Sequence, residues 1–578
     1  MAAGSERAVN AGPASPSLPA AANFPGRPGR HPDSACEPAS LDRVPPDVGL
    51  LDRLGPDRAV REGLLPWRRA GAVTVVAATS PGAAEAGRAR LEALFGPVAL
   101  ASTTSEAVEA AVLAVRRGQL SARAEDRTPV RLSCRSLGGP GLAVPLSAAG
   151  LAVLAAAALA PALVFSALVL WASGWLLVST LLRIAAAFAA GRTEPRRPPP
   201  LPGRLPAISL LVPLFRERDI AGDLVAHLSR LDYPSDRLEI CLIVEKHDTI
   251  TRAALARTDL PATMRILVVP PGSLQTKPRA LNYALDFTRG EIVGVYDAED
   301  SPAPDQLMKV AAHFAAARPD VACLQGRLDF YNPRQNWLAR CFTIDYATWF
   351  GVILPGLDRM GLAVPLGGTT LFFRRDVLDR LGGWDAHNVT EDADLGIRLA
   401  RHGWRTELIP TVTEEEANCR LWPWIRQRSR WIKGYAMTWA VHMRKPRTLL
   451  ADLGLWRFFG FQAVFLGSLS QFILAPLLWS FWLVLLGLPH PLADAMPPAL
   501  VLALATLFLV SEVVNIAVSA WACRGARHRW LIPWVPTMHF YFPLAAIASW
   551  KGLAEIASHP FFWDKTDHGT EAGPAAAS

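Results

Sequence analysis

The run Ile292-Val293-Gly294-Val295-Tyr296-Asp297-Ala298-Glu299-Asp300 decides how the middle of this chain is read. A short apolar stretch rich in β-branched residues is the pattern of a buried strand. It gives way at once to three carboxylates, at the strand end where an open α/β sheet places its ligands. Carboxylates two apart, Asp297 and Glu299, can hold a hard divalent cation that also binds a diphosphate. The bland alternative is an acidic loop capping a helix that starts near Pro304.

Working outward, residues 208–214, 238–244 and 265–269 read as further strands, and 219–231 and 278–287 as helices. Strands alternating with helices predict a mostly parallel sheet over 205–440. Three more polar signatures follow in order: Gly367-Gly368-Thr369, Thr390-Glu391-Asp392 and Gln427-Arg428-Ser429-Arg430-Trp431. The glycine pair either lets backbone approach a ligand or simply turns. Asp392 is a candidate base, with helix capping ahead of 395–399 as the other reading and Thr390 as an alternative cap. Arg430 can pair bidentately with phosphate. Trp431 offers a flat face to a sugar ring, or sits with Trp422 and Trp424 at headgroup depth.

The flanks are of another composition. The chain is 51% hydrophobic with a formal net charge of +8. Arginines cluster beside apolar spans (Arg192, Arg196, Arg197; Arg524, Arg527, Arg529), which points to cytoplasmic membrane flanks and away from nucleic acid. Residues 142–182 hold no charge, enough for two helices turning near Pro161 or one long tilted helix. A hairpin over 142–188, followed by a Pro/Arg-rich linker at 189–204, keeps what precedes and follows it on the cytoplasmic side. Beyond the 205–440 domain, 441–553 predicts an interfacial helix and one span within 458–488, and a span at 497–521 containing Glu512. A third block at 530–550 is broken by Pro533, Pro536 and Pro543, and either crosses or re-enters. Residues 554–578 form a polar-aromatic tail.

At the other end, 1–45 reads as a disordered tail. Residues 46–138 predict a small α/β module, with strands at 73–78 and 97–101 and helices at 83–95 and 105–117. Seven dispersed cysteines without a CxxC pair fit a reducing compartment.

The ordered set Val212-Pro213-Leu214-Phe215-Arg216-Glu217, Glu245-Lys246-His247-Asp248, Lys277-Pro278-Arg279-Ala280-Leu281-Asn282 and the signatures above resembles family 2 glycosyltransferases of the GT-A fold, the group containing bacterial cellulose synthase catalytic subunits. The resemblance implies an α/β GT-A domain between transmembrane helices of the inner membrane, preceded by the small α/β module. It implies donor contacts from Glu217, Asp248, Lys277, Asp297 and Arg430, and an acceptor site at Glu391, Gln427 and Trp431. It further implies Mg2+ or Mn2+ on Asp297 and Glu299, with Asp300 as an alternative to Glu299, and Asp392 as the base. The expected activity is inverting, processive transfer of a sugar, glucose foremost, from a UDP-sugar to a β-linked polysaccharide, or single transfer to a lipid carrier. Residues 561–569 resemble a Trp-x-Lys-Thr-x-His-Gly tail of a subset of these enzymes, a candidate cover for the nucleotide site. The module around Leu54-Gly55, Gly63-Leu64-Leu65-Pro66 and 73–78 loosely resembles the N-terminal domain of type II secretion ATPases. That likeness implies docking, or reception of cyclic di-GMP.

Overall fold

The computed structural model describes residues 39–137, 140–191, 199–217 and 220–562. Most of the N-terminal tail, the centre of the linker and the Trp563–Gly569 motif therefore lie outside the described residues. The chain divides into two compact units, Met1–Arg117 and Gly118–Ser578.

The first unit is built on a three-stranded sheet in the order β1 (Leu64–Ala70), β2 (Val73–Ala78), β3 (Val98–Ser102). β1 runs antiparallel to β2, and β3 parallel to it. Helix Pro81–Phe95 makes the crossover, its start fixed by Ser80, whose hydroxyl accepts from Ala83 N, and by Pro81 in the first turn. The sequence reading missed β1 because it carries Pro66 and two arginines. The pairing register shifts between Pro66 and Arg68, an irregularity of the kind that admits proline into a strand. Helix Ser105–Asp126 starts in this unit.

The second unit centres on eight strands: β4 (Ile208–Leu214), β5 (Leu238–Glu245), β6 (Met264–Val269), β7 (Ile292–Val295), β8 (Ser301–Pro302), β9 (Val321–Phe330), β10 (Leu371–Arg374) and β11 (Arg405–Glu415). Their order is β6-β5-β4-β7-β10-β9-β11-β8. The four strands up to β7 are mutually parallel, as expected. Beyond them the sheet turns mixed: β9 and β11 pair in parallel, but β10 is antiparallel to both β7 and β9, and β8 is antiparallel to β11. Hydrophobic periodicity marks a strand and is silent on its partner's direction. Helices Ile220–Ser229 and Gln306–Ala316 border this sheet, with Leu224, Leu228, Leu307 and Val310 buried against Leu210, Val212, Leu242 and Ile292.

Among the described residues three helices are long and apolar enough to cross a membrane: Pro161–Gly191, Pro446–Ile473 and Pro498–Ala522. The pair Arg529–Tyr541 and Leu544–Ser558, bent by 46°, qualifies only if taken together. The break expected near Pro161 is present, between helices Pro140–Leu159 and Pro161–Gly191. Downstream, the reading of an interfacial helix and one span within 458–488 is corrected. The long apolar helix runs Pro446–Ile473, kinked at Gly454 (φ 71°), and a shorter one, Ala475–Leu485, follows. Gly454 takes a left-handed conformation that glycine adopts without steric cost, so the kink falls there.

Candidate active site

β5, β4 and β7 lie side by side and point the same way, so their C-terminal ends deliver residues 245–248, 215–217 and 297–300 to one edge. β10 runs against β7 with Leu371 opposite Val295. The turn that feeds it, Gly367-Gly368-Thr369, therefore starts where β7 ends. Thr370 N donates to Val295 O at 2.9 Å, and the Thr369 hydroxyl oxygen lies 3.2 Å from the same atom. Helix Glu391–Arg401 opens at the same edge with three acids, Glu391, Asp392 and Asp394, in its first turn, where the helix dipole favours anions.

Gly368 is the point of convergence. A Cβ placed there would stand 3.6 Å from an Asp392 carboxylate oxygen, 3.9 Å from an Asp297 oxygen and 4.0 Å from Lys277 Nζ. At Gly367 it would meet the Phe350 ring at 2.8 Å. The glycine pair thus does more than turn the chain: it leaves open the space that three charged groups face. Gly368→Ala is expected to fold, since its contacts are ordinary, yet to lower turnover about tenfold or more by filling that space. An activity assay beside a thermal melt checks this.

Lys277, the first residue of helix Lys277–Leu285, donates to Asp297 Oδ1 and, at 2.8 Å, to Gly368 O. Burial works to lower its pKa, but the Asp297, Glu391 and Asp392 carboxylates outweigh that and hold the ammonium above its usual range. Burial pushes the Asp392 carboxyl up from 3.8, against the pull of the Ala393 N–H, Lys277 and Arg430. Glu391, buried beside Asp392, is pushed up to about 8.

Asp300 is tied into the fold through one oxygen, Oδ2, while its buried Oδ1 meets no hydrogen-bond partner among the described residues. Its carboxylate accepts from Asp297 N at 2.8 Å and from the Thr369 hydroxyl, fastening the acidic loop to the glycine turn. Burial, then the neighbouring Asp297 and Glu299, raise its pKa well above the ordinary value. Glu299 instead lines the cavity with Asp297. Among the described residues no group of three or more His, Cys, Asp or Glu is placed to hold an ion. Two carboxylates suit a cation that takes its remaining ligands from a diphosphate and water, as Mg2+ commonly does. The Asp297–Glu299 pair fits that description.

The cavity measures about 900 Å3 and takes in Glu217, Lys277, Glu391, Asp392, Gln427 and Arg430. Asp248 is not among its lining residues. Its carboxylate accepts from Arg216 N at 2.6 Å and from Thr251 N and hydroxyl at 3.0 and 2.6 Å, so it braces the 215–217 turn and caps helix Thr249–Leu255. Arg216 (φ 55°) and Thr370 (φ 56°) hold left-handed backbone without being glycine, and both sit in the loops that frame the site. Gln427 Oε1 accepts from Asn418 Nδ2 at 2.9 Å. The Arg428 guanidinium lies 4.8 Å from the Trp431 ring centroid, and Phe342 and Tyr346 pack against the same ring. Trp431 is thus partly engaged by protein.

Two features escaped the sequence reading. Glu415, at the end of β11, lines the cavity, and burial followed by the Asp300, Glu299 and Asp297 charges holds its carboxyl well above its usual pKa. The second is a clamp from residues 121–127. Glu125 accepts from Ser273 N at 2.8 Å, the Ser273 hydroxyl, and Arg279 Nε at 3.0 Å. Arg279, fully buried, also reaches Glu245 and donates to Ser121 Oγ and Pro270 O at 2.8 and 2.6 Å. Together these fix the 270–276 loop that leads into Lys277. Glu125→Ala is expected to raise the donor KM about tenfold with little change in kcat, since a buried guanidinium and two loop donors lose their acceptor. Steady-state kinetics against donor concentration check it.

Residues 292–513, which begin at β7 and include Asp297, Gly368, Asp392 and Trp431, match the family model "Glycosyl transferase family group 2". Among curated relatives, beta-monoglucosyldiacylglycerol synthase of Synechocystis sp. is 32% identical over 238 residues, 40% of this chain and 48% of that protein. Cellulose synthase 1 catalytic subunit of Komagataeibacter xylinus is 26% identical over 257 residues, 43% of this chain and 33% of that protein. The chain thus spans about half the length of the first of these relatives and a third of the second. Among solved structures, the mannosyltransferase PcManGT of Pyrobaculum calidifontis, in complex with GDP-Man and Mn2+, is 21% identical with a TM-score of 0.43, covering 67% of this chain and 99% of that one. The glycosyltransferase segment lies wholly within the second unit.

Proposed function

We propose that the chain is an inverting glycosyltransferase that moves a hexosyl group from a nucleoside diphosphate sugar to a hydroxyl presented at a membrane. The observation that carries this is the convergence of Asp297, Asp392 and Lys277 on Gly368, inside a cavity that also takes in Leu469 and Phe472 of the apolar helix Pro446–Ile473. The donor diphosphate lies toward Asp297, Lys277 and Arg430. Glu217 bounds the nucleotide side, next to the turn that Asp248 braces, and Gln427 and Glu391 face the acceptor. When bound between Asp297 and Glu299, Mg2+ or Mn2+ offsets negative charge on the departing diphosphate. Asp392 takes the acceptor hydroxyl's proton as that oxygen bonds to the anomeric carbon and the bond to the diphosphate breaks. Lys277 holds Asp297 in place and meets the charge left on the leaving group. The cytoplasmic placement of this unit at an inner membrane is part of the reading, as the donor is a cytoplasmic metabolite class. The first unit and cyclic di-GMP form no part of it.

The acceptor is read as a lipid. The partly occupied Trp431 ring leaves less of a sugar platform, and the more similar of the two curated relatives is named for a glucosyldiacylglycerol product. Processive elongation of a polysaccharide is the second reading, favoured by the Gln427, Arg430 and Trp431 match. Incubation of the membrane-embedded protein with radiolabelled UDP- and GDP-sugars tests both. Label in the organic extract is the expected outcome; label in alcohol-insoluble polymer would select the second reading, and no label in either would reject transfer.

The base must be ionised to act. Since burial raises its pKa, kcat/KM is expected to fall as pH drops through a value above the ordinary aspartate 3.8, and to be full above it. A pH–rate profile checks the position of that acid limb; a limb at or below 3.8 contradicts the raised value.

A further inference from the structure

One cation in the cavity wall takes no part in this donor chemistry. Arg183 follows residues 161–182, which hold no charge, on the apolar helix Pro161–Gly191, and it lines the same cavity as Asp392. Among the described residues no hydrogen bond or ion pair reaches it. The carboxylates whose charge it feels, Asp345 and Glu512, are each engaged elsewhere. Asp345 accepts from Arg428, which also donates to the Tyr541 hydroxyl at 2.9 Å. Glu512 lies 2.9 Å from His539 Nδ1. His539 Nε2 accepts from Trp482 Nε1 at 2.8 Å, so the imidazole proton is on Nδ1 and is given to Glu512.

A guanidinium at the edge of an apolar layer costs several kcal/mol unless an anion meets it. The surrounding wall says what else the anion is attached to. Trp349, Phe350, Phe472 and Phe542 line the same cavity as Arg183, giving it apolar surface suited to a hydrocarbon chain. Trp349 lies one helical turn, about 5.4 Å, beyond Asp345. Phe350, next in sequence, abuts Gly367 and so borders the carboxylate pair. One turn past Arg183, Ala186 packs against Gly356, where a Cβ would meet the Ala186 backbone at 2.5 Å. That contact fixes the helix turn that carries Arg183 against helix Leu354–Arg359.

We propose that Arg183 binds the phosphate headgroup of a membrane lipid, and that this phospholipid is the acceptor, its hydroxyl directed toward Asp392. The phosphate distinguishes it from a neutral diacylglycerol. The lipid identity rests on the transferase reading; the anion site rests on Arg183 alone. The full chain in mild detergent, offered phosphatidylglycerol, diacylglycerol or inorganic phosphate, tests it by native mass spectrometry and by kinetics. Wild type is expected to retain phosphatidylglycerol about tenfold better than Arg183→Gln, and better than diacylglycerol. The phosphatidylglycerol KM is expected to rise by a similar factor in Arg183→Gln with the donor KM within twofold, and Arg183→Lys to recover part of the loss. Equal retention by wild type and Arg183→Gln overturns the proposal, as does equal retention of the neutral lipid, or inorganic phosphate held as well as the lipid. Failure of wild type to consume any nucleotide sugar would reject the transferase reading while leaving lipid retention to decide the anion site.

Discussion

Asp392→Asn is expected to reduce sugar transfer by roughly 100- to 10,000-fold, the range spanned by removing a general base. The asparagine keeps the side chain's size within a buried site, so folding should be little affected. It cannot accept a proton from the acceptor hydroxyl. The loss should fall on kcat, with donor affinity close to wild type, because Asp392 meets the donor through the incoming oxygen and not through the diphosphate. Single-turnover kinetics with donor titration separate the two. A loss confined to KM would move Asp392 from base to binding residue.

Asp297→Asn is the second large effect. Asp297 is the carboxylate that Lys277 grips and one of the two that fit a cation. Removing its charge leaves Lys277 with the Gly368 carbonyl, at 2.8 Å, as its hydrogen-bond acceptor, and with Glu391 and Asp392 as the remaining nearby carboxylates. The pair is only partly buried, with the Lys277 and Asp297 side chains 13% and 28% exposed, so its loss lies between that of a surface and of a buried pair. Donor binding is therefore expected to weaken by about 100-fold or more and to lose its dependence on Mn2+. Calorimetric titration of donor with and without Mn2+ measures both. A variant whose donor affinity still responds to the metal would place the ion elsewhere than on Asp297 and Glu299.

How much of this was open to reading varies by element. The strands at 208–214 and 238–245 were plain in the sequence because both are continuous β-branched and aliphatic runs, buried on both faces. β9 and β11 were not, because polar residues interrupt their apolar runs; in β9, Gln325 serves a buried hydrogen bond, Asp329 an ion pair, and Arg327 is exposed. The order of the four polar signatures placed Asp297, Gly368 and Asp392 in one list, and the antiparallel seating of β10 on β7 explains why they meet. Asp300 was left open as a ligand, since only tertiary contact with Thr369 assigns it to the loop. Glu125 and Arg279 could not be paired from sequence at all: 154 positions separate them, and the carboxylate sits outside the family match. Arg183 was visible as the first charge after an apolar run. Its place in the cavity wall depends on how helix Pro161–Gly191 packs against Gly356.

The proposed single displacement, with Asp392 as base and Asp297 facing it across Gly368, is tested most directly by the configuration of the product. Proton NMR of the new anomeric centre, formed from an α-linked nucleotide sugar, reports it through one coupling constant. The expected result is a β-linked product from the first turnover onward. An α-linked product would require a second displacement or a front-face route, and would contradict Asp392 as the lone base of an inverting transfer.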